Sequence, residues 1–387
     1  MTIFWICDII KNMLLPRYFE NLNQFLLPKK VLVIYGPRQV GKTTLLKNFL
    51  KTINLRYKLV TGDDLSVQEI LSSQRLKQLS EFCAGYQLLV IDEAQKIPNI
   101  GINLKLIVDN IPDLKLIVTG SSSFDLSGQI GEPLTGRKIT LTLYPLSQLE
   151  LIKINNPYEL KEKLSEFLIF GSYPEVITST SKEKKIEVLN ELVNSYLLKD
   201  ILELEKVKGA KILVDLLRLL AFQVGSEVSY NELANTLNID VKTVARYLDL
   251  FEKSFILYNL RGFSRNLRSE VNKKSKYYFF DNGVRNALIL NFNSLDKRND
   301  VGALWENFLV MERLKKQAYK RIYANNYFWR TWEKKEVDWI EEREGKLFAF
   351  EFKFTKPKKT HLLDFKKAYP KAITKIITKE NYLDFVT

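Results

Sequence analysis

One short run combines residue type and spacing in a way that specifies a chemistry: Gly36-Pro37-Arg38-Gln39-Val40-Gly41-Lys42-Thr43-Thr44. In a loop of the form GxxxxGKT, the two glycines let the backbone curl until successive N–H groups converge on an anion at a helix N-terminus. Lys42 then reaches the β- and γ-phosphates of a nucleotide, and the Thr43 hydroxyl joins the shell of a Mg²⁺ ion. All nine residues are expected to form the nucleotide loop, with ATP and Mg²⁺ as cofactors.

Hydrolysis requires acid beside such a loop. Leu88-Leu89-Val90-Ile91 ends in Asp92 and Glu93. Asp92 is expected to hold the Mg²⁺ shell, and Glu93 to polarise the attacking water. A third apolar run, Leu114 to Gly120, leads into Ser121-Ser122-Ser123. Ser121 is the expected γ-phosphate sensor, and a serine-rich loop is the rival reading. Arg137, in Leu134-Thr135-Gly136-Arg137, offers a guanidinium that would neutralise transition-state charge in this subunit or a neighbour's. A plain surface arginine is the alternative there.

A second constellation lies near the C-terminus. Asp338 stands in Glu336-Val337-Asp338-Trp339-Ile340, and Glu351 and Lys353 sit two residues apart on the return run Leu347 to Lys353. Residues two apart share one face of a strand, so D-x12-ExK brings two carboxylates and an amine together. Such a set holds Mg²⁺ and stabilises charge at phosphorus. Charged hairpins also produce this spacing by chance.

These residues need elements to position them. A β-branched run, Val31 to Tyr35, precedes the first loop, and an apolar-periodic segment follows it. Strand and helix signals alternate to residue 147, as a parallel sheet covered by helices requires. The expected fold is therefore α/β, a P-loop NTPase core over residues 1–147. Helical periodicity over 148–206 predicts a lid. Residues 207–290 read as a winged helix-turn-helix: Ser229 caps one helix, Asn238-Ile239 makes the turn, and Asp240 caps the next. Lys242, Thr243 and Arg246 would face a groove of DNA, and the following hairpin holds Arg261, Arg265, Arg268, Lys273, Lys274 and Lys276 against Glu270 alone. A spacer that contacts protein is the other reading. Residues 291–387 form the last, small α/β module.

The run Ile91–Gln95, Val118–Ser123 and Leu134–Arg137, together with Lys42-Thr43, resemble AAA+-type ATPases of a prokaryotic lineage abundant in archaea. Proteins of that group carry a C-terminal domain of unknown function similar to PD-(D/E)XK nucleases. The likeness continues through Phe170–Glu175, Tyr278–Gly283, Gly302–Asn307 and Phe328–Thr331 and covers nearly the whole chain. It begins near Met13; the residues before it read either as a translation-start extension or as an N-terminal helix. The resemblance implies ATP binding and hydrolysis. It also implies that Glu306 corresponds to the helical acid of the nuclease fold, in a domain that either cleaves or only binds.

Composition sets bounds. The chain has 387 residues, 46% hydrophobic and 27% charged, as in a globular protein of two or three domains. A net charge of +14 favours a polyanionic partner, DNA or RNA or an anionic membrane surface, against the alternative of a solvated basic face. Cys7 and Cys83 make no disulfide framework and suit a reducing cytoplasm, the expected location. His361, the single histidine, excludes histidine metal cages and triads. No run approaches the roughly 18 apolar residues of a membrane span. Three function classes follow: a Mg²⁺-dependent ATPase driving a conformational change, homo-oligomeric if Arg137 acts on a neighbour; a nucleotide-gated nuclease; and an ATP-switched regulator or defence-type protein that does not cut.

Overall fold

A computed structural model describes residues 15–121, 133–197, 210–264, 275–331, 333–355 and 360–387. The chain forms two units, one comprising Arg17–Tyr144 with Lys253–Phe255 and the other made chiefly of Pro145–Glu252 and Ile256–Thr387.

In the first unit the elements run β1 (Val31–Tyr35), α1 (Lys42–Leu50), β2 (Tyr57–Thr61), α2 (Leu65–Leu71), α3 (Leu76–Cys83), β3 (Leu88–Asp92), α4 (Ile100–Asn110), β4 (Lys115–Gly120) and β5 (Lys138–Thr142). Their strands make one parallel sheet in the order β2-β3-β4-β1-β5. Strands covered on both faces must be apolar throughout. β1 is buried at all five positions, and β3 at every position but its terminal Asp92. Val31, Val33, Leu89, Ile91, Leu116 and Val118 share a core with Leu104 and Ile107 of α4. Because β3, β4 and β1 are neighbours, the carboxyl ends of all three open onto one sheet edge, where ligands of open α/β sheets bind.

The second unit is built on a seven-stranded sheet in the order β12-β11-β10-β9-β7-β8-β6. Its elements include α5 (Leu164–Phe170), α6 (Ala210–Phe222), β6 (Glu227–Val228), α7 (Tyr230–Leu237), α8 (Val241–Lys253), β7 (Leu257–Gly262) and β8 (Ser275–Phe279). They continue with α9 (Asn282–Leu288), α10 (Val301–Lys320), β9 (Asn325–Arg330), β10 (Glu336–Arg343), β11 (Lys346–Phe352), α11 (Leu362–Ala368), β12 (Ile373–Ile377) and α12 (Tyr382–Val386). The Ser229 hydroxyl accepts from Glu232 N at the start of α7, and Asn238 ends that helix in the left-handed region at φ 53°.

The sequence boundaries at 206 and 290 both fall inside this unit. The physical reason is strand pairing. β7 pairs with β8 on one side and, in parallel, with β9 on the other, Arg261 opposite Tyr327 and Gly262 opposite Phe328. The hairpin read as wing-like is thus joined through β9 to the strands that carry Asp338 and Glu351.

Several motifs behind the family likeness hold this unit together. Asp281 caps α9 by accepting from Gly283 N (2.8 Å) and Val284 N (3.2 Å), and its other oxygen takes Ser172 N at 2.7 Å. Asn307 clamps Phe279 from both sides, Oδ1 accepting from its N–H (2.7 Å) and Nδ2 donating to its carbonyl (2.9 Å).

Candidate functional site

The loop between β1 and α1 has the backbone that a phosphate nest needs. Gly41 (φ 91°) and Gln39 (φ 58°) are left-handed, and Val40 is fully buried. A Cβ at Gly36 would lie 2.0 Å from the Leu143 carbonyl oxygen, so only glycine fits there. Pro37 and Arg38 complete the turn, and Thr43 and Thr44 lie in the first turn of α1. Lys42 is 5% exposed, and its Nζ donates to the carbonyls of Gly36 and Pro37, each at 2.8 Å. The ammonium therefore spans the hollow of its own loop.

The acids meet the loop across the sheet edge. The Thr43 hydroxyl donates to Asp92 Oδ2 at 2.7 Å, so the two residues expected to share Mg²⁺ touch. The other Asp92 oxygen accepts from the Thr119 hydroxyl, which in turn accepts from Glu93 N at 3.1 Å. Glu93 is left-handed at φ 51°, a costly state for a residue with a side chain and one that recurs at functional sites. Gln95 Nε2 bridges Glu93 Oε2 (2.5 Å) and Ser121 Oγ (3.0 Å), while Gln95 Oε1 is buried and takes no hydrogen bond among the described residues. Ser121 is thus tied to Glu93 through Gln95, and Ser122 and Ser123 lie outside the described residues.

Thr119 and Gln95 are the residues that sequence reasoning missed. Their signals were a hydroxyl inside the otherwise apolar end of β4 and an amide two positions beyond Glu93.

Arg137 lies elsewhere. Its carbonyl accepts from Val31 N at 2.8 Å, at the start of β1, whereas the loop follows Tyr35 at its end. Four residue steps of strand separate the two by about 13 Å. Its guanidinium instead pairs with Asp109 at 2.7 Å.

In the second unit, Asp338 sits where the β9–β10 register slips between Val337 and Ile340, an irregularity that re-aims side chains. Asp338 Oδ2 accepts from Phe352 N at 2.6 Å. Glu351 Oε1 pairs with Lys353 at 3.0 Å, and its Oε2 accepts from the Thr360 hydroxyl and His361 N. Glu306 Oε1 accepts from Tyr278 (2.7 Å) and Lys276 (3.1 Å), and Lys276 also pairs with Glu336. Burial and the Glu306 charge push Asp338 up to about 8, against Lys276. Burial pulls Lys276 down, but Glu306, Glu336 and Asp338 outweigh it and hold the ammonium above its usual range.

Lys276 therefore needs correction as a wing cation: it faces inward and is 1% exposed, because β8 is buried along its whole length. Arg265, Arg268, Lys273, Lys274 and Glu270 lie outside the described residues. On α8, Lys242 and Arg246 are exposed and Thr243 is half-buried. Among the described residues no helix is long and apolar enough to cross a membrane.

Family models cover most of the chain in three pieces. Residues 28–152 match the family described as "AAA domain", 161–296 the domain of unknown function DUF8612, and 301–384 the domain of unknown function DUF4143. Uncharacterized proteins share similar spans. One from Haemophilus influenzae is 25% identical over 90% of this chain and 88% of its own. One from Mycobacterium tuberculosis is 28% identical over 84% and 70%, and one from Methanocaldococcus jannaschii 27% over 94% and 84%. A variant of Thermotoga maritima RuvB aligns over 60% of this chain and 82% of its own at 19% identity, with a TM-score of 0.28. The loop and the acids all lie within the residues that match the AAA model.

Proposed function

We propose that this chain is a Mg²⁺-dependent ATPase whose nucleotide state is passed to a basic C-terminal half that contacts nucleic acid. The observation that carries the reading is the Thr43–Asp92 contact at 2.7 Å, with Glu93 adjacent on the same sheet edge. In this reading Lys42 exchanges its two carbonyl partners for β- and γ-phosphate oxygens. Thr43, and Asp92 through water, would hold Mg²⁺, which neutralises charge on the phosphates when bound. Glu93 accepts the proton of a water attacking the γ-phosphorus, the bond to the β–γ bridging oxygen breaks, and ADP and phosphate result. Gln95 holds Glu93 in register with Ser121. Arg137, too far from its own loop, serves a neighbouring subunit's nucleotide, which makes the active form a homo-oligomer. Exposed Lys242 and Arg246, with the +14 charge, support DNA or RNA as partner.

Steady-state ATP hydrolysis with parallel binding of a fluorescent ATP analogue tests this. Glu93→Gln should bind nucleotide as the parent does and turn over on the order of 10²-fold more slowly, in the range for loss of a general base. Lys42→Ala should lose both. Wild-type turnover by Glu93→Gln would remove Glu93 as the catalytic base.

A further inference from the structure

The D-x12-ExK pattern and the resemblance both imply a divalent metal at Asp338, Glu351 and Glu306, and the donor set does not fit one. Mg²⁺ requires open oxygen lone pairs in near-octahedral array at about 2.0–2.1 Å. Here protein donors already take both oxygens of Glu351 and one each of Asp338 and Glu306. Glu351 has both oxygens engaged, by Lys353, Thr360 and His361 N. Asp338 gives one oxygen to Phe352 N, and Glu306 gives one to Tyr278 and Lys276 together. Among the described residues no three acidic, histidine or cysteine side chains are grouped so as to hold a metal ion. An ion on Glu306 would also meet a buried ammonium, since Lys276 lies between Glu306 and Glu336 and is 1% exposed.

We propose that Lys276 is the resident cation of this cluster: its ammonium, held between Glu306 and Glu336, supplies the positive charge that a divalent ion would bring to Glu306, and the cluster is a metal-free charge lock, not a cutting centre. A lysine on β8 does this because β8 lies between β6 and β7, so a side chain aimed inward from it cannot reach solvent. A buried ammonium persists only with close counter-charges, and removing it leaves carboxylates in need of another cation.

That consequence is measurable with Mn²⁺ titrated into the nucleotide-free full chain, free Mn²⁺ being read by electron paramagnetic resonance. Wild type and Asp338→Asn should give superimposable isotherms. Lys276→Met should gain one site at least ~10-fold tighter than any in wild type, and Lys276→Met/Asp338→Asn should lose it. Circular dichroism confirms folding, and Lys276→Gln replaces Lys276→Met if the latter does not fold. Wild-type binding that weakens in Asp338→Asn would overturn the proposal and restore a metal centre. A folded Lys276 variant with no added site would overturn it as well.

Discussion

Asp338 shows how far a single side chain can depart from its type. Its carboxyl is buried near Glu306, with Lys276 and Lys353 as the facing cations, and burial first, then the Glu306 charge, raises its pKa to about 8 from 3.8. The folded state therefore keeps a proton that the unfolded chain releases above about pH 4. Stability from this group is complete below that point and is lost as pH rises through about 8. Thermal melts of wild type and Asp338→Asn should diverge with pH accordingly: the wild-type Tm should fall by a few degrees more than the variant's between pH 5 and 8. Parallel curves would show that Asp338 titrates normally. The spacing in the sequence brought Asp338, Glu351 and Lys353 together. It could not show Lys276 among them, because that lysine reads as one more cation in a basic hairpin until strand pairing turns it inward.

Elements were legible where one period dominates. The apolar runs of β1, β3 and β4 and the helix after Gly41 follow from composition alone, and the nucleotide loop with them. Contacts between distant elements were not, since pairwise geometry leaves no local pattern. The run Gly171-Ser172 illustrates this: it carries no chemistry, yet it docks on the cap of α9 more than a hundred residues later. Gly171 is left-handed at φ 73°, and a Cβ there would stand 1.9 Å from Asp281 Oδ1. Gly171→Ala should displace the Asp281 carboxylate from Gly283 N and Val284 N and strain the turn. A lost cap costs about 1 kcal/mol and a non-glycine residue in this backbone region about 1–3 kcal/mol, so urea unfolding of the second unit should shift by about 2–4 kcal/mol. An unchanged midpoint would mean that the turn relaxes freely.

For the whole molecule, the basic charge makes its own forecast. If Lys242 and Arg246 meet phosphates, binding of the full chain to duplex DNA should be nearly independent of sequence and should weaken steeply with salt. The pair Lys242→Glu/Arg246→Glu should lower the slope of log K against log salt by about 2, roughly 0.9 per phosphate contact. Filter binding between 50 and 200 mM salt (roughly the span over which such slopes are read) decides this. No salt-dependent binding to DNA or RNA at low ionic strength would leave the +14 charge as a solvated surface. The parallel sheet of the first unit was legible from alternating strand and helix signals. The single sheet of the second unit was not, because β7 and β9 pair across some sixty residues of chain. That pairing has a consequence on the ribosome. β7 is complete once Gly262 has emerged, but its partner strand begins only at Asn325. At about 5–20 residues per second the β7 edge waits on the order of 3–13 s for its neighbour. For that interval the nascent chain offers an unpaired row of N–H and C=O groups to any other strand, so slower translation through this stretch would lengthen its exposure to misassembly.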